Sequence, residues 1–147
     1  MERRSFLKKA AVGATAASVA APSLAADALP TLNWRLASSF PKNLDTIYGA
    51  AETFCNRVKE LTDGKLNIRP YAAPELVPFN AVLDAVKDGT VEMGHTASYY
   101  YYGKDATFAF DCAVPFGLNS RQQTAWMIHG NGMKLMREFF AEHNVVN

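Results

Sequence analysis

The segment Leu32-Asn33-Trp34-Arg35-Leu36-Ala37-Ser38-Ser39-Phe40-Pro41 is the clearest indication of the fold class in this sequence. Apolar and polar residues alternate from Leu32 to Ser38, which predicts a strand, and Pro41 then ends regular structure. A helix is predicted next, over residues 45–62, with Asp63-Gly64 as its left-handed stop. Its apolar positions recur at helical spacing and form one stripe: Ile47, Ala50, Ala51, Phe54, Val58 and Leu61.

The same alternation of strand and helix continues along the chain. A second strand is predicted over residues 65–70 and a second helix over residues 79–87, which ends at Asp88-Gly89. Val91-Glu92-Met93-Gly94-His95 is typical of a third strand. Strand, helix, strand, helix and strand in this order predict an α/β fold with a mainly parallel sheet and flanking helices.

The remainder of the chain is predicted to be mostly helical. Asn119 or Ser120 can cap a helix over residues 121–129, with Trp126 on its inner face. A last helix is expected over residues 133–142, and Trp126 is expected to join its aromatic residues in the core. Residues 144–147 are typical of a strand that is just beginning.

Two loops are candidate binding segments, because ligands of parallel α/β sheets lie beyond the carboxyl ends of the strands. They are residues 38–41 after the first strand and residues 96–100 after the third. If the run Tyr99-Tyr100-Tyr101-Tyr102 is extended, two rings line a cleft and two pack inward. The alternative, that all four are packing rings, stays open. His95 is expected to be a hydrogen-bonded histidine that packs the end of the sheet.

The N-terminus resembles a twin-arginine export signal. Arg3-Arg4 precedes the apolar pair Phe6-Leu7, and a mildly apolar stretch leads to the small-residue cleavage pattern Ser23-Leu24-Ala25. Pro22 argues against the alternative, an ordinary basic amphipathic helix. We expect residues 1–26 to be the signal and residues 27–147 to be a soluble domain outside the bacterial cytoplasm.

Charge and cysteine content exclude several classes of protein. Removal of residues 1–26 takes away four basic residues and one acidic residue, which leaves a formal net charge of −2. No cluster of Lys and Arg remains, so nucleic acid is not expected as a partner. Cys55 and Cys112 are far apart in sequence, and Cys55 falls on an apolar helix face, so a buried free thiol is predicted there.

No catalytic constellation is found in the sequence. His95, His129 and His143 lack metal-ligand spacing, and neither a phosphate-binding glycine loop nor a Gly-x-Ser-x-Gly motif is present. An enzyme, a catalytic residue and a metal site within this chain are therefore not predicted.

Three segments resemble a known family. Residues 34–41, residues 91–101 and residues 113–119 are similar to the solute-binding subunits of tripartite ATP-independent periplasmic (TRAP) transporters, the DctP family. The similarity is greatest to the subgroup that binds 2-oxo acids such as pyruvate. The resemblance implies a periplasmic binding protein-like (type II) α/β lobe that closes with a second lobe over a small carboxylate. It implies no reaction.

The resemblance also implies which residues line the cleft. Ser39 and Phe40 of the first loop, and Ser98, Tyr99 and Tyr100 of the second, match cleft-lining segments of the family. The family's substrate-pairing arginine belongs to the second lobe, which is absent or incomplete here. Family members are more than twice as long, so we expect residues 27–147 to be a truncated N-terminal lobe that binds ligand weakly and exposes apolar surface.

The function expected from this resemblance is capture of a small carboxylate for transmembrane uptake. The partners would be a small organic acid and the TRAP membrane permease subunits, in the periplasm, and the full-length protein allows a homodimer. No cofactor is expected, although a cation can bind with the substrate through residues beyond this chain. The alternative is an exported sensory or scaffold domain that binds a protein partner.

Overall fold

A three-stranded parallel sheet forms the centre of the fold. The computed structural model describes residues 30–147, and the predicted signal over residues 1–26 lies outside them. In chain order the elements are β1 (Leu32–Ser38), α1 (Asp45–Leu61), β2 (Leu66–Tyr71), α2 (Val82–Lys87), β3 (Met93–His95), two short 3₁₀ helices (Ser98–Tyr101 and Ala106–Ala109), α3 (Ser120–His129) and α4 (Gly132–Glu142).

The strand order is β2-β1-β3, with β1 in the middle and both neighbours parallel to it. The pairing of β1 with β2 runs from Leu32↔Leu66 to Ala37↔Tyr71. β3 is shorter and pairs only with the last part of β1, from Leu36↔Met93 to Ser38↔His95. The α/β fold with a parallel sheet and flanking helices, predicted from the order of elements, is therefore confirmed.

Consecutive residues of β1 point to opposite faces of the sheet, and each face is covered by a helix. Leu36 packs in a cluster with Ala51, Cys55 and Ile68, between the sheet and α1. Its neighbour Ala37 packs in a second cluster, on the side of α2. Successive side chains of β1 therefore pack against different helices, α1 on one face of the sheet and α2 on the other.

The predicted stripe of α1 is confirmed at Ala51 and Val58, which pack against the sheet, and is wrong at its other four positions, which are exposed. Ile47 and Phe54 are exposed, and Leu61 is exposed to 72%, whereas Tyr48 and Cys55 are buried. Two apolar series share the helical spacing, and the small side chains at Ala51 and Cys55 let the helix approach the sheet closely. The predicted burial of the free thiol at Cys55 is confirmed.

A third cluster joins α2, the 3₁₀ helices and α4. Phe108 is fully buried at its centre, and Leu83, Tyr101, Met136 and Phe140 surround it. Met127 of α3 packs against this cluster, whereas the predicted core residue Trp126 does not. Trp126 lies instead against Gly132, where an added Cβ would be 2.8 Å from the indole ring.

Several element ends differ from the sequence prediction. α2 begins at Val82, not at residue 79, and β3 begins at Met93, not at Val91. Residues 144–147 do not form the predicted strand. The predicted cap of α3 is confirmed, because the Asn119 side chain accepts from the backbone N–H of Gln122 in a capping box. Within residues 30–147, no helix has both the length and the apolar character required to cross a membrane.

Candidate functional site at the carboxyl edge of the sheet

The carboxyl ends of β1 and β3 lie side by side, as the sequence predicted for the two loops. Ser38 and His95 are register partners at the last position of the pairing. One residue later the backbone N–H of Ser39 donates to the carbonyl of His95 at 2.8 Å. The loops after β1 and after β3 therefore leave the sheet next to each other and form one rim.

His95 packs the end of the sheet, which is the role predicted for it. Its Nδ1 lies 3.1 Å from the Oγ of Ser38, and that oxygen accepts from the backbone N–H of Phe40 at 3.1 Å. The Phe40 ring packs beside the imidazole in a tilted arrangement, with the two ring centroids 5.0 Å apart. Burial lowers the pKa of His95 from its ordinary value, which disfavours the positively charged form of the imidazole.

The tyrosine run is not extended, contrary to the geometry considered above. Ser98–Tyr101 form a 3₁₀ helix, in which residues three apart lie on the same side. Tyr99 and Tyr102 accordingly both face solvent, with exposed fractions of 42% and 60%. Tyr101 is 2% exposed and belongs to the core, while Tyr100 is half-buried. One of the four rings packs inward, and Tyr99 and Tyr100 remain at the rim.

The rim carries a continuous group of rings that we call the aromatic cluster. Phe40 lies 6.2 Å from Tyr100 between ring centroids, and Tyr100 makes edge-to-face contacts with Tyr99 at 4.9 Å and with Phe79 at 5.6 Å. Such tilted arrangements are the favoured geometry of aromatic pairs. The aromatic cluster consists of Phe40, Phe79, His95, Tyr99 and Tyr100.

Phe79 was not among the candidate residues predicted from the sequence, where it was assigned to the start of a helix. It lies in the loop that leads from β2 to α2, and its side chain is 52% exposed. The rule that places ligands beyond the carboxyl ends of parallel strands applies to β2 as well as to β1 and β3. Applied to all three strands, that rule would have singled out this loop.

The hydroxyls of the two predicted serines are both engaged within the chain. The Ser39 side chain donates to the carbonyl of Phe79 at 2.6 Å, and Ser39 is buried. Ser98 is also buried and donates to the carboxylate of Asp111. The rim therefore presents chiefly aromatic surface, and the two serine hydroxyls fix the loops that carry it.

The cations nearest to the rim in sequence are paired with carboxylates. Arg35 of β1 is bound to Glu92, and Lys42 lies 2.6 Å from a carboxylate oxygen of Glu75. No group of three or more His, Cys, Asp or Glu residues within the described part of the chain could hold a metal ion. An anionic ligand at this rim would need a positive charge from another source.

A cavity of about 230 Å³ lies beside β3, and Thr96 and Ser98 of the loop that follows this strand belong to its lining. Its walls include Val82, Phe140 and Val145, together with the carboxylates of Glu92 and Asp111. The carboxylates of these two residues are engaged within the chain, Glu92 with Arg35 and Asp111 with Ser98, so the cavity offers no free polar group from them to a ligand. We therefore place the candidate site at the aromatic rim and not in this cavity.

Relatives of known role match this chain. The family model for bacterial extracellular solute-binding proteins, family 7 (DctP), matches residues 37–146. A monocarboxylate 2-oxoacid-binding periplasmic protein of Nostoc sp. is 48% identical over 152 residues, a match that covers 100% of this chain and 42% of the relative. The chain thus spans less than half the length of that curated relative.

Solved structures of TRAP solute-binding proteins have the same fold. One from Bordetella bronchiseptica is a mixed-occupancy dimer with calcium and picolinate. It is 48% identical to this chain with a TM-score of 0.76, and the match covers 80% of this chain and 35% of the Bordetella chain. One from Pseudoalteromonas atlantica holds sodium and pyruvate. It is 38% identical with a TM-score of 0.73, and the match covers 77% of this chain and 34% of the Pseudoalteromonas chain. These relatives are solute-binding proteins of transport systems. The chain belongs to the DctP family of bacterial extracellular solute-binding proteins.

Proposed function

We propose that residues 27–147 are the N-terminal lobe of an extracytoplasmic solute-binding subunit of a TRAP transporter. The subunit captures a small carboxylate, a 2-oxo acid such as pyruvate, for transmembrane uptake. The observation that carries the proposal is the aromatic cluster at the adjoining carboxyl ends of β1 and β3. The 48% identity to a 2-oxoacid-binding periplasmic protein supports the same substrate class. The alternative, a sensory or scaffold domain, gains no support from these relatives.

The rim suits the uncharged part of such a ligand. Phe40 and Tyr100 offer an apolar wall for a methyl or methylene group, and the exposed Tyr99 adds a hydroxyl that can fix orientation. Of the five residues expected from the resemblance, Phe40, Tyr99 and Tyr100 are proposed to contact the ligand. Ser39 and Ser98, whose hydroxyls are engaged, are proposed to hold the loops in place.

The carboxylate charge is proposed to be met by the second lobe. Arg35 and Lys42 are already paired, and burial disfavours the charged form of His95, so this lobe offers little positive charge at the rim. A bidentate arginine from the second lobe would supply strong recognition of the carboxylate. The relatives from Pseudoalteromonas and Bordetella hold sodium or calcium together with their ligand, which supports a cation that binds with the substrate through groups outside residues 30–147.

The remaining features of the proposal follow from the export signal and the family. Residues 1–26 would direct the chain to the periplasm by the twin-arginine route, and the ligand would pass unchanged to the permease subunits. A homodimer is compatible with the dimeric relative from Bordetella. No catalysis is proposed. His95 packs the end of the sheet, with a ring nitrogen next to Ser38, and the hydroxyls of Ser39 and Ser98 are hydrogen-bonded to Phe79 and Asp111 within the chain.

Isothermal titration with pyruvate tests the proposal. Two proteins are measured. One is the 147-residue chain, and the other is a longer form that continues at the C-terminus to the length of the relatives, which we call the extended protein. We expect saturable binding by the extended protein and weak or undetectable binding by the 147-residue chain. Tight binding by the shorter chain would contradict the assignment of the carboxylate's partner to a second lobe. No binding of any 2-oxo acid by the extended protein would refute the function.

A further inference from the structure

A chain of hydrogen bonds connects helix α2 with the loop that carries Phe79. The backbone N–H of Leu83 donates to the Tyr101 hydroxyl at 3.1 Å, and Tyr101 lies 2.8 Å from Thr96 Oγ1. Thr96 Oγ1 lies 2.7 Å from Ser39 Oγ, which is 2.6 Å from the carbonyl oxygen of Phe79. Four contacts therefore pass through three hydroxyl groups.

The two end groups of this series of hydrogen bonds determine which group donates in each bond. An N–H can only donate, and a carbonyl can only accept. Leu83 therefore donates to Tyr101, and the single hydroxyl proton of Ser39 goes to Phe79. It follows that Tyr101 donates to Thr96 and that Thr96 donates to Ser39. Each hydroxyl gives one proton and receives one, in agreement with the absence of unsatisfied buried side-chain polar atoms over residues 30–147.

This arrangement anchors the loop that carries Phe79 to buried residues of the core. Tyr101 and Ser39 are buried, so loss of either hydroxyl would leave a neighbour without its partner away from water. The anchor ends on the backbone of Phe79, whose ring is half in solvent and meets Tyr100 edge-on at 5.6 Å. A large apolar ring is thus fixed at the outer end of the aromatic cluster.

We propose that Phe79 limits the size of the substituent that the site accepts, and that Ser39 is the positioning residue that holds it there. This inference rests on the proposed function, because the ligand is taken to be a 2-oxo acid. With Phe79 in place, the aromatic wall closes beside a short substituent such as the methyl group of pyruvate. A longer branched substituent would meet the ring.

The test measures the ratio of two dissociation constants in the extended protein. Pyruvate and 4-methyl-2-oxopentanoate are titrated into the unaltered protein and into Phe79→Ala, Phe79→Leu and Ser39→Ala. We expect Phe79→Ala to shift the ratio toward the longer acid by about tenfold or more, since hydrophobic pockets discriminate at this level. Phe79→Leu and Ser39→Ala should shift it in the same direction by less.

Phe54→Ala is the matched control, because Phe54 has a similar exposure on α1 and lies outside the aromatic cluster. Its ratio should equal that of the unaltered protein. If the unaltered protein binds pyruvate but the Phe79 variants leave the ratio unchanged, or weaken both acids equally, the inference is overturned and the proposed function stands. If the unaltered protein binds no 2-oxo acid, both are overturned. Phe79→Leu carries the test should Phe79→Ala not fold by circular dichroism.

Discussion

Arg35 of β1 donates three hydrogen bonds to the carboxylate of Glu92. Its Nη2 donates to Oε1 at 2.8 Å, while its Nε and its backbone N–H donate to Oε2 at 3.1 Å and 2.8 Å. Glu92 stands one residue before β3, so the pair ties the edge strand to the central strand where the two begin to pair. These hydrogen bonds lower the pKa of Glu92 from 4.5 to about 2.

The first prediction concerns acid stability. A carboxyl whose pKa is lowered by folding stabilises the protein above its unfolded pKa, and this contribution disappears as the pH falls through the folded value. Glu92→Gln should therefore flatten the fall in the free energy of unfolding between about pH 4.5 and pH 2. Urea denaturation across this range measures the effect. Arg35→Met removes the two side-chain donors but leaves the backbone N–H of residue 35, so it should flatten the curve by less than Glu92→Gln does, and a full acid dependence in Glu92→Gln would contradict the assignment.

The second prediction concerns the core. Phe108 is completely buried among Tyr101, Met136 and Phe140, so Phe108→Ala should lower the free energy of unfolding by about 3–5 kcal/mol. Phe110→Ala, two residues away at a half-exposed position, is the control and should cost less than about 1 kcal/mol. Chemical denaturation compares them. Equal costs at the two positions would show that the cluster around Phe108 is not the core.

A third prediction concerns the close contact between α2 and β3. A Cβ at Gly94 would lie 2.9 Å from Cγ1 of Val82 and 3.1 Å from Cγ2 of Val86. Since Val82 is buried and its β-branched side chain is stiff, Gly94→Ala should cost about 1–3 kcal/mol. Gly49→Ala is the counterpart inside α1, where nothing lies within 4 Å, and should stabilise by about 0.5–1 kcal/mol. Thermal unfolding should move in opposite directions for the two variants, and a shared direction would refute this packing.

The fourth prediction concerns the two thiols. Cys55 is buried against the sheet, and burial raises the pKa of its thiol. Cys112 is exposed as a residue, yet burial of its sulfur and the neighbouring Asp111 raise its pKa to about 11. Alkylation with iodoacetamide at pH 8 should modify only Cys112 in the native protein, and slowly, because the thiolate is scarce. Cys112→Ser should abolish native labelling, and rapid modification of Cys55 would contradict its burial.

The sequence predicted the fold better than it predicted the faces of the helices. Alternation along β1 and the order of elements suffice for a parallel sheet, because they depend on local periodicity. Four of the six positions predicted for the stripe of α1 were wrong because two series of apolar residues, one with Phe54 and one with Cys55, satisfy the same helical period. Only contact with Leu36 and Ile68 of the sheet selects the second series.

The sequence predicted that the two candidate loops lie next to each other, but it did not predict how their side chains are arranged. The register of Ser38 with His95 brings the two loops together, as the strand-end rule requires. Which tyrosine faces the rim depends on the 3₁₀ turn over Ser98–Tyr101, and no periodicity in four identical residues reveals it. The role of Ser39 depends on Phe79, which is forty residues away in sequence and is brought near only by the folded loop.

Titration of pyruvate into two tyrosine variants of the extended protein shows whether the aromatic rim is the binding site. Tyr100 belongs to the aromatic cluster, whereas Tyr102 is exposed on the same turn and outside that cluster. If the rim is the binding site, Tyr100→Ala should raise the dissociation constant by about tenfold, or about 1.4 kcal/mol, and Tyr102→Ala should leave it within about twofold. Equal effects of the two variants, or unchanged affinity in Tyr100→Ala, would contradict the account.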